Sequence, residues 1–124
     1  MSEPQRLAKL EAIVGAALAR KAEDLIGLDV RALSSFADTF VIATGTSDRH
    51  VRSIADAIEL ALRARGELPL GVEGYEEGRW VLIDAGDTIV HVFQREVREH
   101  YDLERLWSDA PALELEAEAR SAGR

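Results

Sequence analysis

Six consecutive residues, Thr39 to Thr44 (TFVIAT), carry almost no polar surface, and the chain runs from them directly into an amphipathic helix. A strand that is apolar at both odd and even positions has to be covered on both faces. Helices or loops must therefore lie on each side of the sheet that contains it. Gly45 breaks the strand. Ser47 is placed to cap the helix, and Asp48 follows it against the positive end of the helix dipole. Val51, Ile54, Ala55, Ile58, Ala61 and Leu62 form the buried stripe, and Gly66 ends the helix.

Around this unit the pattern predicts α-β-β-α-β-β-β-α. Gln5 to Lys21 reads as an Ala-rich helix with Pro4 in its first turn and Leu7, Leu10, Ile13, Val14, Ala17 and Leu18 as one apolar stripe. Asp24 to Val30 reads as a strand, and Gly71 to Tyr75 as a short one. Arg79–Asp84 and Thr88–Gln94 alternate with period two and form a hairpin. A two-residue turn at Gly86-Asp87 segregates the side chains most cleanly. It places Val81 and Ile83 with Val90 and Val92 on one face, and Trp80, Leu82 and Asp84 with Ile89, His91 and Phe93 on the other. Beyond Phe93 the chain reads as helical in one or two pieces, with Asp102 capping a turn from which Leu103, Leu106 and Trp107 pack onto the sheet. Pro111 closes it. The expectation is a single α/β domain over residues 1–111, with a mixed five-stranded sheet and flanking helices. Residues 112–124 are expected to be an acidic tail, frayed or disordered.

Bulk properties narrow the function. At 124 residues the chain holds one domain, large enough to fold without a staple. It contains no cysteine, which excludes disulfides, thiolate metal sites and cysteine nucleophiles. No signal peptide and no apolar run of the ~20 residues a membrane span needs is present, so a cytoplasmic protein without a membrane partner is expected. A net charge of −8 opposes binding to a phosphate backbone and favours a basic partner. The same acidity also serves solubility alone.

Chemistry is sparse. His50, His91 and His100 lack metal-ligand spacing, so neither a metal nor another cofactor is expected. A hydrogen-bonded or interface histidine is the commoner role for a residue placed as His91 is. Elbow, Walker A and Rossmann patterns are all missing. Gly45-Thr46-Ser47 stands where a nucleotidyltransferase cradles a triphosphate, but no strand carries the paired carboxylates that hold its magnesium. Asp29, Asp84 and Asp87 are scattered, and Ser47 reads as a helix cap. What remains is a surface. Tyr75, Trp80 and Asp84 lie among glycines 71, 74, 78 and 86, a composition suited to an interface centre and equally to ordinary aromatic packing.

ADTFVIATGTSDRHVRSIADAIE, followed by PLGVEGYEEGRWVLIDAGDTIVHVFQREVREHYDLERLW, closely resembles the ribosomal silencing factor, or Iojap-like, family from about Leu10 to Pro111. The blocks GTSDRHVR, GYEEGRWVLIDAGD and HVFQ-x-x-x-R-x-x-Y-x-L-E-x-L-W carry the likeness. It implies a nucleotidyltransferase-like topology without the catalytic acids. It also implies a non-enzymatic role: binding the large ribosomal subunit through its basic universal protein fourteen, blocking subunit joining and lowering translation when nutrients are short. Organellar members are linked to ribosome assembly, which is the alternative role; an active nucleotidyltransferase is the remaining one. On this reading Trp80 and Leu82 supply desolvated contact, and Asp84 and Glu73 meet lysine or arginine. Tyr75 and His91 belong to the same block, and Tyr101 and Asp102 extend it. An exposed sheet edge and an apolar strip leave room for a homodimer when the protein is free.

Overall fold

The computed structural model describes residues 3–113 and 115 of the chain. Among the described residues four helices, α1 (Glu3–Ala19), α2 (Asp48–Ala64), α3 (Arg95–Tyr101) and α4 (Leu103–Leu106), accompany six strands. These are β1 (Glu23–Asp29), β2 (Thr39–Gly45), β3 (Gly71–Glu73), β4 (Trp80–Asp84), β5 (Thr88–Gln94) and β6 (Ala112–Leu113). They form one mixed sheet in the order β3-β4-β5-β2-β1-β6. The central pair β2–β5 is parallel, and every other pairing is antiparallel. β2 is buried along its whole length, as its composition demands.

Two apolar layers hold the sheet. On one face Val41, Val81, Ile83, Val90 and Val92 pack under α1 and α2. The α2 stripe is buried at Val51, Ile54, Ala55, Ile58 and Leu62, while Ala61 is only half-buried. Each of the larger side chains contributes roughly 1.5–3 kcal/mol through burial. Ser47 caps the helix by accepting from the His50 amide at 3.0 Å. At the other end the Gly66 amide donates to Arg63 and the Glu67 amide to Leu62, with Gly66 at φ +74, the Schellman arrangement.

The α1 stripe differs from expectation. Leu7 and Leu18 are exposed, and Arg6 and Lys9 are buried in their place. Both cations reach distant acceptors, and Arg6 Nε alone among their nitrogens is buried without a hydrogen-bond partner. Arg6 donates to Thr39 Oγ1 at 2.9 Å, and Lys9 donates to the Ala85 carbonyl and to Asp87 Oδ1 at 2.8 Å. Hydropathy alone ranks such residues outside. The hydrogen bonds to the β4–β5 turn and to β2 offset their desolvation.

The hairpin has the predicted register: Val81 pairs with Val92, Ile83 with Val90 and Leu82 with His91. Gly86 has φ +85 and Asp87 stays out of the left-handed region, which matches a type II′ turn.

The sheet has six strands where five are expected. The sixth comes from Ala112–Leu113, which pairs with Leu28 and Gly27 of β1. Leu115 then packs so closely over Gly27 that a Cβ there would lie 2.9 Å from the leucine Cδ2. A two-residue strand carries no periodicity, and its pairing is remote in sequence. The rest of the expected tail, residues 114 and 116–124, lies outside the described residues. Among the described residues no helix is long and apolar enough to cross a membrane.

Candidate partner-binding site

The second face of the sheet is covered unevenly. α3, α4 and the loop after β1 shelter Leu28, Phe40, Ile42, Ile89 and Phe93. Toward β3 the cover ends: Trp80, Leu82 and Asp84 on β4 are half-buried, and Glu73 on β3 is exposed. Strand pairing sets Glu73, Leu82, His91 and Ile42 side by side across four strands.

An aromatic row crosses this face. Trp107 meets the edge of Phe40 at 4.9 Å, Phe40 meets His91 at 5.3 Å, His91 neighbours Trp80 at 6.0 Å, and Trp80 neighbours Tyr101 at 4.8 Å between ring centroids. Phe93 backs Trp80 at 4.8 Å. The indole N–H of Trp80 donates to His91 Nδ1 at 3.2 Å. That bond requires a neutral imidazole with its proton on Nε2. Burial agrees with it, pushing the His91 pKa down to about 4. The indole orientation is thus set by a hydrogen bond and two flanking rings before any partner arrives.

The remaining predicted residues divide. Tyr101 is exposed and joins Trp80. Asp84 stands at the hairpin end, where Oδ1 accepts from the Gly86 amide at 3.0 Å and so braces the turn. Asp102 is left-handed, with φ 49 and ψ 55, and its side chain caps neither helix. It joins α3 to α4 through its backbone instead: its amide donates to Arg98 and its carbonyl accepts from Arg105. Within α4, Leu103 packs on the sheet, whereas Leu106 faces outward at 74% exposure. Helical spacing does not reveal that a four-residue helix is too short to bury both. Tyr75 stands apart from the row, because its hydroxyl donates to Asp56 on α2 at 3.2 Å, on the other side of the sheet. That contact raises the Tyr75 pKa.

Pattern reading missed the residues that wall the open end. Glu77, Arg79, Glu96 and His100 line a cleft of about 570 Å³ beside Trp80 and Tyr101. They come from a turn and a helix that only the fold brings together. The glycines flanking Tyr75 were the available signal. Gly74, at φ +80, has its Cβ position 2.1 Å from the Trp80 carbonyl, so the turn lies directly against β4.

The helix start at Ser47 is engaged internally. The Thr46 amide donates to His50 Nδ1 at 2.9 Å, and His50 Nε2 lies 2.7 Å from the Arg20 carbonyl. Asp87 is paired with Lys9 at 2.8 Å and Asp29 with Arg31 at 2.6 Å. No group of three or more potential metal ligands gathers among the described residues.

Fold and site together describe a small mixed-sheet domain with half of one aromatic face left open. The family profile described as ribosomal silencing factor during starvation matches residues 3–124. A ribosomal silencing factor from Halalkalibacterium halodurans is 43% identical over 107 residues, covering 86% of this chain and 92% of that one. A crystal structure of a Chromobacterium violaceum protein matches with a TM-score of 0.80 at 40% identity, over 86% of this chain and 88% of the other. A mouse protein named mitochondrial assembly of ribosomal large subunit protein 1 is 31% identical over 90 residues, which cover 70% of this chain and 40% of the mouse protein. The chain belongs to the ribosomal silencing factor family.

Proposed function

We propose that this protein docks through the Trp80 face onto universal protein fourteen of the large ribosomal subunit. There its bulk keeps the small subunit from joining, which lowers translation when nutrients are short. The observation that carries the reading is the open half-face, where a fixed indole, Leu82 and Tyr101 stand beside Glu73 and Asp84. Fixed aromatic surface at the centre with charge at the rim is the composition of interface hot spots. The net charge of −8 steers such a face toward a basic protein and away from the surrounding RNA. Family membership supports the ribosome as the setting.

Occupancy, not turnover, is the mode of action in this reading. The amides of the strand-to-helix turn are engaged by His50 and Ser47, and two of the three scattered aspartates are held by cations. A nucleotidyltransferase-like topology without the catalytic acids is what the family resemblance implies, and no cofactor enters this reading. The name of the mouse relative favours a second reading, assembly of the large subunit through the same face. A homodimer of the free protein, formed through an exposed sheet edge and an apolar strip, would compete with either role.

Sedimentation of recombined purified subunits tests the central reading: excess protein should convert joined ribosomes into separate subunits. Trp80→Ala should weaken large-subunit binding by about 2 kcal/mol, roughly thirtyfold. Unchanged joining in the presence of excess protein would refute the blocking role. Unchanged affinity of the variant would refute the face. Normal joining together with accumulated large-subunit precursors in cells lacking the protein would favour the assembly role. A monomer mass at micromolar concentration would remove the dimer.

A further inference from the structure

The cleft beside Trp80 has walls of two kinds. Its floor is aromatic, built by Trp80 and Tyr101 with ring centroids 4.8 Å apart. Its rim is acidic: Glu77 stands on the β3–β4 turn and Glu96 on the first turn of α3, and both are exposed. Neither carboxylate is held by an ion pair or side-chain hydrogen bond among the described residues, in contrast to Glu3, Glu23, Glu67 and Glu104. The turn wall is stiff because Gly74 is pressed against the Trp80 carbonyl. At about 570 Å³ the space is within the range of ligand-sized clefts.

An aromatic floor attracts a cation through its ring quadrupole, and two unpaired carboxylates at the mouth add direct attraction. An apolar side chain would gain nothing from the rim, and an anion would be repelled. A planar guanidinium suits the site better than an ammonium, since it stacks on a ring and offers several donors to carboxylates. We infer that this cleft receives one arginine side chain of the basic partner, anchoring it beside the Trp80 face. The inference deepens the proposed docking and rests on the partner being basic. Arg79, which also lines the cleft, is the local competitor for the two carboxylates.

A ribosome-free measurement separates this assignment from the docking itself. Titration with the peptide acetyl-Gly-Arg-Gly-amide should shift the Trp80 indole N–H resonance in a two-dimensional NMR spectrum. The Trp107 indole, outside the cleft, serves as the internal control. The citrulline peptide, equal in shape but uncharged, should leave both resonances in place. The double variant Glu77→Gln/Glu96→Gln should bind the arginine peptide about tenfold more weakly, and Arg79→Gln should bind it more tightly. Equal response to both peptides, equal movement of both indoles, or full binding by the double variant would overturn the assignment. On large subunits the double variant should lose about tenfold in affinity, while the charge-matched control Glu11→Gln/Glu59→Gln on the helical face should lose far less. Wild-type docking with no difference between the two double variants would overturn the cleft and leave the face standing. Absent wild-type docking would overturn the face, with the peptide titration still deciding the cleft.

Discussion

Replacing Gly74 by alanine asks how firmly the β3–β4 turn is held against Trp80. Gly74 has φ +80, and an added Cβ would lie 2.1 Å from the Trp80 carbonyl oxygen. Two costs arise. The left-handed conformation costs an L residue about 1–2 kcal/mol. Relieving contact with a backbone atom, which cannot rotate away, adds about 1–3 kcal/mol. The reduced freedom of the unfolded alanine chain returns about 0.4–1 kcal/mol. The net loss should be about 1–5 kcal/mol, out of a total stability on the order of 5–15 kcal/mol for a domain. Gly66→Ala carries the first cost alone, because Gly66 has φ +74 and no atom within 4 Å of its Cβ position, so the difference between the two variants gives the second. It should lose only about 1 kcal/mol. Urea denaturation followed by far-ultraviolet circular dichroism measures both, and each kcal/mol should lower Tm by roughly 2–6 °C in a domain of this size. Equal losses for the two variants would refute the claim that the turn is pinned by contact with β4.

Three further outcomes are expected. His91 binds its proton with a pKa of about 4 in the folded protein against an ordinary value of 6.5, so stability is complete above pH 6.5 and falls as pH drops toward 4. That loss is on the order of 3 kcal/mol, and denaturation midpoints of His91→Gln across this window should show a shallower slope than the parent protein. Lys21 ends α1 at φ 60, with its amide donating to Leu18 and that of Ala22 to Ala17. Lys21→Gly should raise stability by up to about 1 kcal/mol in the same urea assay, and a loss would refute the cap assignment. Leu115 is 3% exposed within the main core. Leu115→Ala should cost about 2–4 kcal/mol, whereas an unchanged midpoint would mean the segment after Pro111 is not docked.

The sequence was most legible where side chains follow a local period. The β4–β5 register follows from alternation and a glycine turn, and the cap, stripe and Schellman end of α2 from residues a few positions apart. Legibility failed where long-range partners decide. Arg6 and Lys9 are buried because acceptors on β2 and the hairpin turn await them, which hydropathy does not register. β6 is too short to show a pattern and exists through its partner β1. At the site, Trp80, Leu82, His91 and Glu73 share a face that strand parity could reveal. Tyr75 lies in a turn, where parity has no meaning, and it turns to α2. The acidic cleft rim was hidden for the same reason, since Glu77 and Glu96 meet only through the fold.

The parallel seam at the centre of the sheet bears on how the molecule acquires its shape. β2 ends at Gly45 and its neighbour β5 begins at Thr88, so the middle of the sheet closes only after the helix and the hairpin between them have been made. Distant pairings of this kind slow folding, because chain entropy is lost before the contacts return it. During synthesis the seven-residue apolar strand β2 emerges well before its partner exists. For that interval the chain carries an adhesive ribbon, and chaperone capture or aggregation competes with completion until Gln94 has left the exit tunnel.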